Sequence, residues 1–346
     1  MDTNDIKKFT SKLLEYLPER NRDVVSRRFG LKNGDKETLE SIGKSYGITR
    51  ERVRQIEEVS LTNLRNNIEK IKSQAKPFIR IANNILEEHG GIMKENDLFE
   101  KFSGNSKATS INTSLVLLMT LDSGFSRSHD TDELHSFWSL SADHIDMAKN
   151  AISSLASLLK KNNEPIEQDK LHGFFKTSFN STVSQKALFA YTALSKNINC
   201  NIYGEIGLNH WSDINPKGVR DKAYLVLKKY EKPLHFKDIT SLVNNAGFNG
   251  RKANVQTVHN ELIKDERFVL VGRGIYGLTQ WGYKSGTVKD VLAEILKESK
   301  KPLTREELVS RVLETRMVKE NTITLNLQDS KMFKKLGNGN YTLRKA

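Results

Sequence analysis

Two helical patterns meet at a glycine turn in residues 38–64, TLESIGKSYGITRERVRQIEEVSLTNL. Apolar side chains recur three and four residues apart on both sides of the turn, as expected of two helices that each bury one face. They are Leu39, Ile42, Tyr46, Ile48, Val53, Ile56, Leu61 and Leu64. Gly43 is expected where the second helix approaches closely, and Gly47 where the chain reverses with a positive φ. Thr49 can cap the second helix, and Glu51 is favourable in its first turn. The stretch predicts a helix-turn-helix.

The start of the second predicted helix presents polar side chains suited to reading base pairs. Because Val53 and Ile56 must face inward, the neighbouring positions point outward. These outward residues are Arg50, Glu51, Arg54 and Gln55. In helix-turn-helix proteins this end of the helix normally enters the major groove, where arginine pairs with guanine, glutamate accepts from cytosine and glutamine reads adenine. The alternative is a helix pair used only for packing, with its charged residues as a solvated surface.

The segment from Leu17 to about Asn66 contains the motifs LPERNRDVVSRRFGL and TLESIGKSYGITRERVRQIE and resembles region 4 of the sigma-70 family. In that family this domain binds the minus-thirty-five promoter element. The resemblance implies double-stranded DNA as one partner and bacterial RNA polymerase core as another. No other part of the chain resembles the family's regions that melt the promoter or bind core RNA polymerase, so autonomous promoter melting is not expected.

The same resemblance assigns individual roles. Arg50, Glu51 and Gln55 match the family's base-contacting positions. Arg52 and Arg54 match phosphate-facing or base-edge positions. The full set predicted to contact DNA in this domain is Lys44, Thr49, Arg50, Glu51, Arg52, Arg54 and Gln55.

The composition predicts a soluble, cytoplasmic protein. Cys200 is the single cysteine in 346 residues, which excludes a disulfide framework and a thiolate metal cage and agrees with a reducing compartment. The N-terminal sequence MDTNDIKKF lacks the apolar core of a signal peptide, and the longest apolar run, Leu115–Met119, is too short to cross a bilayer. No membrane association is expected.

Positive charge is concentrated in the last third of the chain. Residues 217–346 carry 26 lysines and arginines against 14 aspartates and glutamates, a net charge of +12, whereas the whole chain carries +13. A basic region of this size attracts polyphosphates and gives salt-sensitive binding. The alternative is that the lysines serve only solubility.

The C-terminal third also contains an internal repeat. Seven positions match without a gap at an offset of 65 residues, and four positions upstream match at an offset of 69. The first set pairs Val258, Leu262, Phe268, Gly272, Gly274, Tyr276 and Leu278 with Ile323, Leu327, Phe333, Gly337, Gly339, Tyr341 and Leu343. The second set pairs Leu227, Pro233, Leu234 and Ile239 with Leu296, Pro302, Leu303 and Leu308. The offset changes in one loop, Gly247–Lys252, so the pattern predicts two homologous units.

Each repeated unit is predicted to be a winged helix, in which three helices precede two alternating strands closed by a glycine turn. In the better-defined copy these elements are Lys222–Tyr230, Phe236–Asn244, Asn254–Asp265 and the hairpin Phe268–Leu278. Looser copies run from Phe78 to about Leu140 and from His144 to about Trp211. The predicted fold class is mainly α with small β-hairpin wings, an N-terminal helix-turn-helix domain followed by an array of about four winged-helix domains. The predicted domains are 1–72, 73–142, 143–215, 216–284 and 285–346.

The unit running from AYLVLKKYEKPLHFKDITSLVNNAGF to RFVLVGRGIYGLTQWG resembles the HARE-HTH winged-helix family, which includes the N-terminal domain of the RNA polymerase delta subunit. The resemblance implies a fold that contacts DNA or protein. On DNA, the third helix would enter a groove and the wing would reach phosphate or the minor groove. The residues predicted for this role are Arg251, Lys252, Gln256 and Arg273, with Thr257, His259 and Asn260 also facing outward.

Two alternatives remain open for the winged helices. Their polar residues can instead form solvated faces that contact nothing. The two middle units are slightly acidic and therefore suit a protein contact better than a DNA contact.

Two patterns mimic small-molecule sites. Gly272–Gly277 fits the dinucleotide-binding spacing G-x-G-x-x-G, but the LTQWG that follows it is not a helix, so the pattern indicates a wing turn. The run His129–Asp146 is rich in histidine and aspartate but lacks the spacing of a zinc site, and it fits a polar loop. The sequence also lacks the motifs of phosphate loops, zinc proteases and serine hydrolases, so we expect no cofactor, no metal and no catalysis.

Together these patterns predict a non-catalytic bacterial DNA-binding transcription factor, or a sigma-like protein associated with RNA polymerase. One alternative is a protein adaptor that docks on RNA polymerase. Another is a DNA-binding accessory subunit of a restriction or defence system.

Overall fold

The computed structural model describes residues 5–68, 72–248, 250–283 and 285–344, apart from the side chains of residues 72 and 73. It is mainly helical, with small antiparallel sheets. The chain forms two compact units: the first extends to Cys200 and includes Glu205–Asn209, and the second comprises Asn201–Gly204 and the chain from His210. Within the described ranges, no helix combines the length and the apolar character needed to cross a membrane.

Four helices begin the first unit. They are α1 (Asp5–Leu14), α2 (Glu19–Phe29), α3 (Leu39–Tyr46) and α4 (Arg50–Ile68). Pro18 precedes α2 with φ −53°, and Gly30 ends α2 in the left-handed region with φ 71°. A Cβ atom at Gly30 would lie 2.7 Å from the backbone of Gly34, so the chain turns back closely on itself.

Helices α1–α4 bury two separate apolar faces. A small core inside the helix-turn-helix consists of Val24, Ile42, Val53 and Ile56. A second face joins a larger core, in which Ile6 and Leu64 are fully buried together with residues as distant in sequence as Trp138. Residues on both sides of the boundary predicted at residue 72 therefore contribute to one hydrophobic core.

Two segments with the same order of elements complete the first unit. The first contains α5 (Lys72–Glu88), β1 (Ile92–Lys94), α6 (Glu95–Ser103), α7 (Ser110–Leu121), β2 (Ser126–Ser128) and β3 (Phe137–Ser139). The second contains α8 (Ala142–Asn162), β4 (Ile166–Glu167), α9 (Gln168–Phe179), α10 (Gln185–Leu194), β5 (Ile198–Cys200) and β6 (Glu205–Leu208). Their antiparallel sheets have the orders β1-β3-β2 and β4-β6-β5. The strands β1 and β4 were not predicted from the sequence.

The second unit contains the internal repeat. Its first copy consists of α11 (Val219–Tyr230), β7 (Leu234–His235), α12 (Phe236–Asn245), α13 (Val255–Lys264), β8 (Phe268–Gly272) and β9 (Ile275–Leu278). Its second copy consists of α14 (Val288–Ser299), α15 (Arg305–Thr315), α16 (Glu320–Leu327), β10 (Phe333–Lys335) and β11 (Tyr341–Leu343). Residues that match in the repeat have matching partners. Leu234 pairs with Tyr276 in the first copy, and Leu303 forms a bridge with Tyr341 in the second. Residue 249, in the loop where the offset changes, lies outside the described residues.

An extended segment after α15 fastens the two copies together. The Met317 N–H donates to the Val271 carbonyl oxygen (2.9 Å) on β8, an edge strand of the sheet β7-β9-β8. The neighbouring Arg316 is 5% exposed, and its guanidinium donates to the carbonyl oxygens of Leu270 and Gly286. Burial lowers the pKa of this guanidinium. The two copies are thus joined by main-chain as well as side-chain hydrogen bonds.

Candidate nucleic-acid interface

The turn between α3 and α4 has the backbone geometry that its glycine and threonine residues predict. Gly47 has φ 65°, and its N–H donates to the carbonyl oxygens of Gly43 and Lys44 at the end of α3. The Thr49 hydroxyl accepts a hydrogen bond from the Arg52 N–H at 3.2 Å, which satisfies one free donor at the start of α4. The predicted chain reversal and the predicted cap are confirmed.

Gly43 permits a close backbone approach. A Cβ atom at this position would lie 2.7 Å from the Ile48 carbonyl oxygen and 3.5 Å from the Arg50 backbone nitrogen. The Ile48 N–H donates to the Gly43 carbonyl oxygen at 3.0 Å, so the contact is part of the hydrogen-bonded turn. The predicted approach is confirmed, and it involves the turn and the first residue of α4.

The predicted base-reading residues all lie on the solvent face of α4. The exposed members are Arg50, Glu51, Arg52, Arg54 and Gln55. Between them, Val53 is fully buried and Ile56 is 9% exposed, because both contribute to the small core. The structure thus brings five polar side chains together on the first two turns of one helix, at its N-terminal end, where the helix dipole favours anions such as phosphate.

Several of these side chains bond to one another along the helix. Arg54 pairs with Glu51 (Nη2–Oε1, 2.8 Å) and with Glu58 (Nη1–Oε2, 3.1 Å). The Arg54 hydrogen bonds lower the pKa of the Glu51 carboxyl, and the same bonds raise the pKa of Arg54. Arg52 Nη1 donates to Gln55 Oε1 at 3.0 Å. Because these contacts are exposed to solvent, they are weak and can be exchanged for contacts with a ligand.

Arg50 and Lys44 are the other two cations of this surface. The exposed Arg50 side chain makes no hydrogen bond or ion pair with any described residue, so its five N–H donors are available to a ligand. Lys44 is exposed on α3 and lies 3.7 Å from Glu40 in an ion pair one helical turn away. Lys44 can exchange this solvated pair for a phosphate.

Side chains outside the predicted set hold the helix-turn-helix in shape. Arg28 Nε donates to Glu57 Oε2 at 2.9 Å and so ties α2 to α4, and Arg27 Nη2 donates to Glu37 Oε2 at 2.7 Å. Hydrogen bonding to Arg27 lowers the pKa of the Glu37 carboxyl. These residues were not predicted, because partners 29 and 10 positions apart leave no local signal in the sequence.

The second predicted surface begins at α13. The Asn254 side chain caps this helix by accepting from the Gln256 N–H at 2.8 Å. Arg251, Lys252 and Gln256 are exposed, and Arg273 is exposed in the turn between β8 and β9. The structure therefore places all four predicted residues at solvent-facing positions of the second unit.

His259 was predicted to face outward from α13, and this prediction was wrong. Its ring stacks on the Phe236 ring with centroids 4.3 Å apart and meets the Tyr276 ring edge-on at 5.8 Å. The side chain is half-buried against the sheet and α12 because an imidazole provides an apolar face for aromatic packing.

Helices α7 and α10 of the first unit are more deeply buried than α13. In α7 the buried residues include every position from Asn112 to Met119, and in α10 they include Leu188, Tyr191 and Leu194. A helix enclosed on most sides has little surface left for a DNA groove. Sequence patterns could indicate this for α7, because its run of apolar residues lacks a polar face.

The two patterns that mimic small-molecule sites have other roles. Gly272 and Gly277 lie on the paired strands β8 and β9, and a short 3₁₀ turn, Thr279–Trp281, follows them. In the run His129–Asp146, Asp130 pairs with Lys196 and the His144 ring bonds to the Ser141 hydroxyl (2.7 Å). Among the residues that the structure describes, no three histidine, cysteine, aspartate or glutamate side chains are placed to hold a metal ion.

Comparison with known proteins relates one part of the chain to a family. The family model described as Sigma-70, region 4 matches residues 13–66. The RNA polymerase sigma factor RpoS of Coxiella burnetii is 48% identical over 65 residues, which are 19% of this chain and 18% of the relative. The RNA polymerase sigma factor SigA of a Bacillus species is 50% identical over 54 residues (16% and 14%), and SigA of a Nostoc species is 44% identical over 63 residues (18% and 16%). The chain thus spans less than a fifth of the length of these relatives.

Proposed function

We propose that this chain is a non-catalytic bacterial transcription protein that reads promoter-like duplex DNA through the solvent face of α4. The observation that carries the proposal is the set of five exposed polar residues, Arg50 to Gln55, on a capped helix whose turn is locked by Gly43 and Gly47. The match of residues 13–66 to Sigma-70, region 4 supports it, since a double-stranded DNA partner is the natural ligand of such a surface.

Each residue of this surface has a role that its chemistry allows. Arg50 would donate bidentately to guanine, Glu51 would accept from cytosine, and Gln55 would pair with adenine. Arg52 and Arg54 would bind phosphate or base edges. On binding DNA, Arg54 would exchange a solvated carboxylate for a phosphate oxygen.

Loss of a base-contacting side chain should weaken binding to a preferred sequence far more than binding to other sequences. A duplex selected from a random pool by the wild-type protein is the substrate for this test. We expect Arg50→Ala and Gln55→Ala each to weaken binding to this duplex by about tenfold, with little change on unselected duplexes, because each base contact contributes about 1–3 kcal/mol of discrimination. A gel-shift titration at fixed salt measures both affinities.

Lys12→Ala is the matched control, because Lys12 is exposed on α1 and lies outside the proposed surface. It should retain wild-type affinity and preference. If all three variants and the wild type bound the selected duplex equally and with the same preference, the assignment of base contacts to α4 would be refuted.

We further propose that the repeated segments are winged helices, and that those of the second unit add DNA contacts. The net charge of +12 in residues 217–346 supports this role, as does the exposure of Arg251, Lys252, Gln256 and Arg273. Helix α13 would lie in a groove and Arg273 on phosphate or in the minor groove.

Salt dependence tests this contribution. The double variant Lys252→Ala/Arg273→Ala is expected to reduce the slope of log affinity against log salt by about 2, since each lost phosphate contact removes about 0.9 from the slope on duplex DNA. Lys8→Ala/Lys12→Ala removes the same charge from α1 and should leave the slope unchanged. An equal slope in both double variants would show that the second unit does not touch DNA phosphate.

A second candidate function is docking on RNA polymerase core. It is favoured by the relatives, which are RNA polymerase sigma factors and match this chain over 65 and 54 residues. Affinity purification of the tagged protein after exhaustive nuclease treatment tests this candidate. Recovery of core subunits from nuclease-treated lysate supports a direct protein contact, and their loss on treatment indicates that DNA alone bridges the two.

A further inference from the structure

A cleft in the first unit combines cationic and aromatic walls. It encloses about 640 Å³ between the end of α2, the middle of α4 and the strands β2 and β3. Its cations are Arg28, Lys36 and Arg127, and its apolar wall includes the half-buried rings of Phe29 and Phe125. This volume falls in the range of small-ligand sites, about 300–1,000 Å³.

The two arginines are held in place while part of each guanidinium stays free. Arg127 donates to the carboxylate of Glu95 through Nε (2.6 Å) and Nη2 (2.8 Å), and Glu95 is only 7% exposed. Arg28 donates through Nε to Glu57 (2.9 Å) and through Nη1 to the Glu37 carbonyl oxygen (2.6 Å). Arg127 Nη1 and Arg28 Nη2 have no acceptor among the described residues, so each arginine lining the cleft presents an oriented, unused donor.

The charges of the cleft are not balanced. Arg28 and Arg127 each have a carboxylate partner, whereas Lys36 lies 3.9 Å from Glu95, which Arg127 already occupies. Burial, together with the positive charges of Arg127 and Arg28, lowers the pKa of Lys36 despite the opposing effect of Glu95. An anion in the cleft would offset this unfavourable concentration of positive charge.

The apolar wall restricts the kind of anion. Phe29 and Phe125 line the same cleft as the cations, and the Trp138 ring lies behind them with the Arg127 guanidinium 5.8 Å from its centroid. A phosphate group matches the arginine forks, and a flat ring attached to it would use the aromatic wall.

We propose that this cleft binds a mononucleotide, with its phosphate held by Arg28, Lys36 and Arg127 and its base placed against Phe29 and Phe125. Glu57 and Leu61 of α4 also line the cleft, so the ligand would contact the helix that carries Arg50. The site does not depend on DNA recognition, and its test uses no selected duplex.

Isothermal titration of the full-length protein with AMP, GMP, CMP and UMP, in buffer with a metal chelator, tests the proposal. We expect saturable one-to-one binding of at least one of them. Inorganic phosphate and the matching nucleoside should each bind at least about tenfold more weakly, because each lacks one half of the recognition, the base or the phosphate. No saturable binding of any mononucleotide, or equal binding of inorganic phosphate alone, would overturn the proposal.

Two variants connect the binding to this cleft. Lys36→Gln removes the cation that lacks a carboxylate of its own, and Ser126→Glu adds a negative charge to an exposed residue of the lining. Both should weaken nucleotide binding by about tenfold or more, since charged groups near a phosphate act strongly in a partly buried site. Lys107→Gln, at an exposed position away from the cleft, should bind as the wild type does.

Thermal unfolding checks that the variants are folded. If Lys36→Gln does not fold, Ser126→Glu alone tests whether the nucleotide binds in this cleft. Wild-type affinity in both cleft variants would overturn the proposal. Titration with a short duplex of arbitrary sequence tests whether the cleft instead binds the phosphates of a nucleic-acid backbone. If the cleft variants weakened only duplex binding, the cleft would hold a nucleic-acid backbone and the mononucleotide assignment would be wrong.

Discussion

Replacing Glu95 by alanine should destabilise the first unit by about 3–5 kcal/mol, the usual cost of removing one partner of a buried ion pair. The side chain of Glu95 is 9% exposed, and its carboxylate accepts two hydrogen bonds from Arg127 and a third from Trp138 Nε1 at 3.0 Å. Its loss would leave a guanidinium partly buried without its anion and an indole N–H without an acceptor. Urea unfolding followed by circular dichroism measures the change.

Glu100→Ala is the matched control on the same helix, because Glu100 lies on the exposed face of α6. Its free energy of unfolding should stay within about 0.5 kcal/mol of the wild type. The double variant Glu95→Leu/Arg127→Met should recover much of the lost stability, since an apolar pair can replace a buried ion pair. Equal losses in Glu95→Ala and Glu100→Ala would contradict the structural role of Glu95.

Gly43→Val is expected to cost about 3 kcal/mol, the upper part of the usual range for overpacking a tight site, and to abolish preferential DNA binding. Its Cβ would meet the Ile48 carbonyl oxygen at 2.7 Å, and that atom belongs to the backbone and cannot rotate away. The turn would have to open, which would tilt α4 and move Arg50 relative to α3. Urea unfolding and gel-shift titration of the same preparation measure both effects.

Gly47→Asn separates steric from conformational effects. Gly47 has φ 65°, but a Cβ there would meet no atom within 4 Å. Asparagine tolerates this left-handed conformation better than other residues with a Cβ, so the substitution should be mild and should preserve DNA preference. If Gly47→Asn lowered stability and DNA preference as much as Gly43→Val does, the close backbone approach would not explain why position 43 needs glycine.

The local parts of the fold could be predicted because their causes act within a few residues. Gly47 and Thr49 shape a turn through their own backbone and side-chain bonding. Periodicity also indicated which side of α4 is buried, since Val53 and Ile56 occupy one face.

The missed features depend on partners that are distant in sequence. Periodicity predicts that Leu64 is buried, but not that it belongs to a core that also contains Ile6 and residues as distant as Trp138. The bond between Glu95 and Arg127 joins positions 32 residues apart, and His259 turns inward only because Phe236 offers a ring to stack on. The cleft around Lys36 likewise exists only after these segments have packed together.

The pairing of Met317 with Val271 also limits where this chain can be shortened. Strand β8 would otherwise present a row of free main-chain donors and acceptors, and such open edges recruit other strands and lead to aggregation. A fragment ending after β9 would have this unpaired strand edge next to the exposed side chain of Leu270. The two C-terminal repeats should therefore be expressed as a pair, because residues 316 and 317 cover part of this edge.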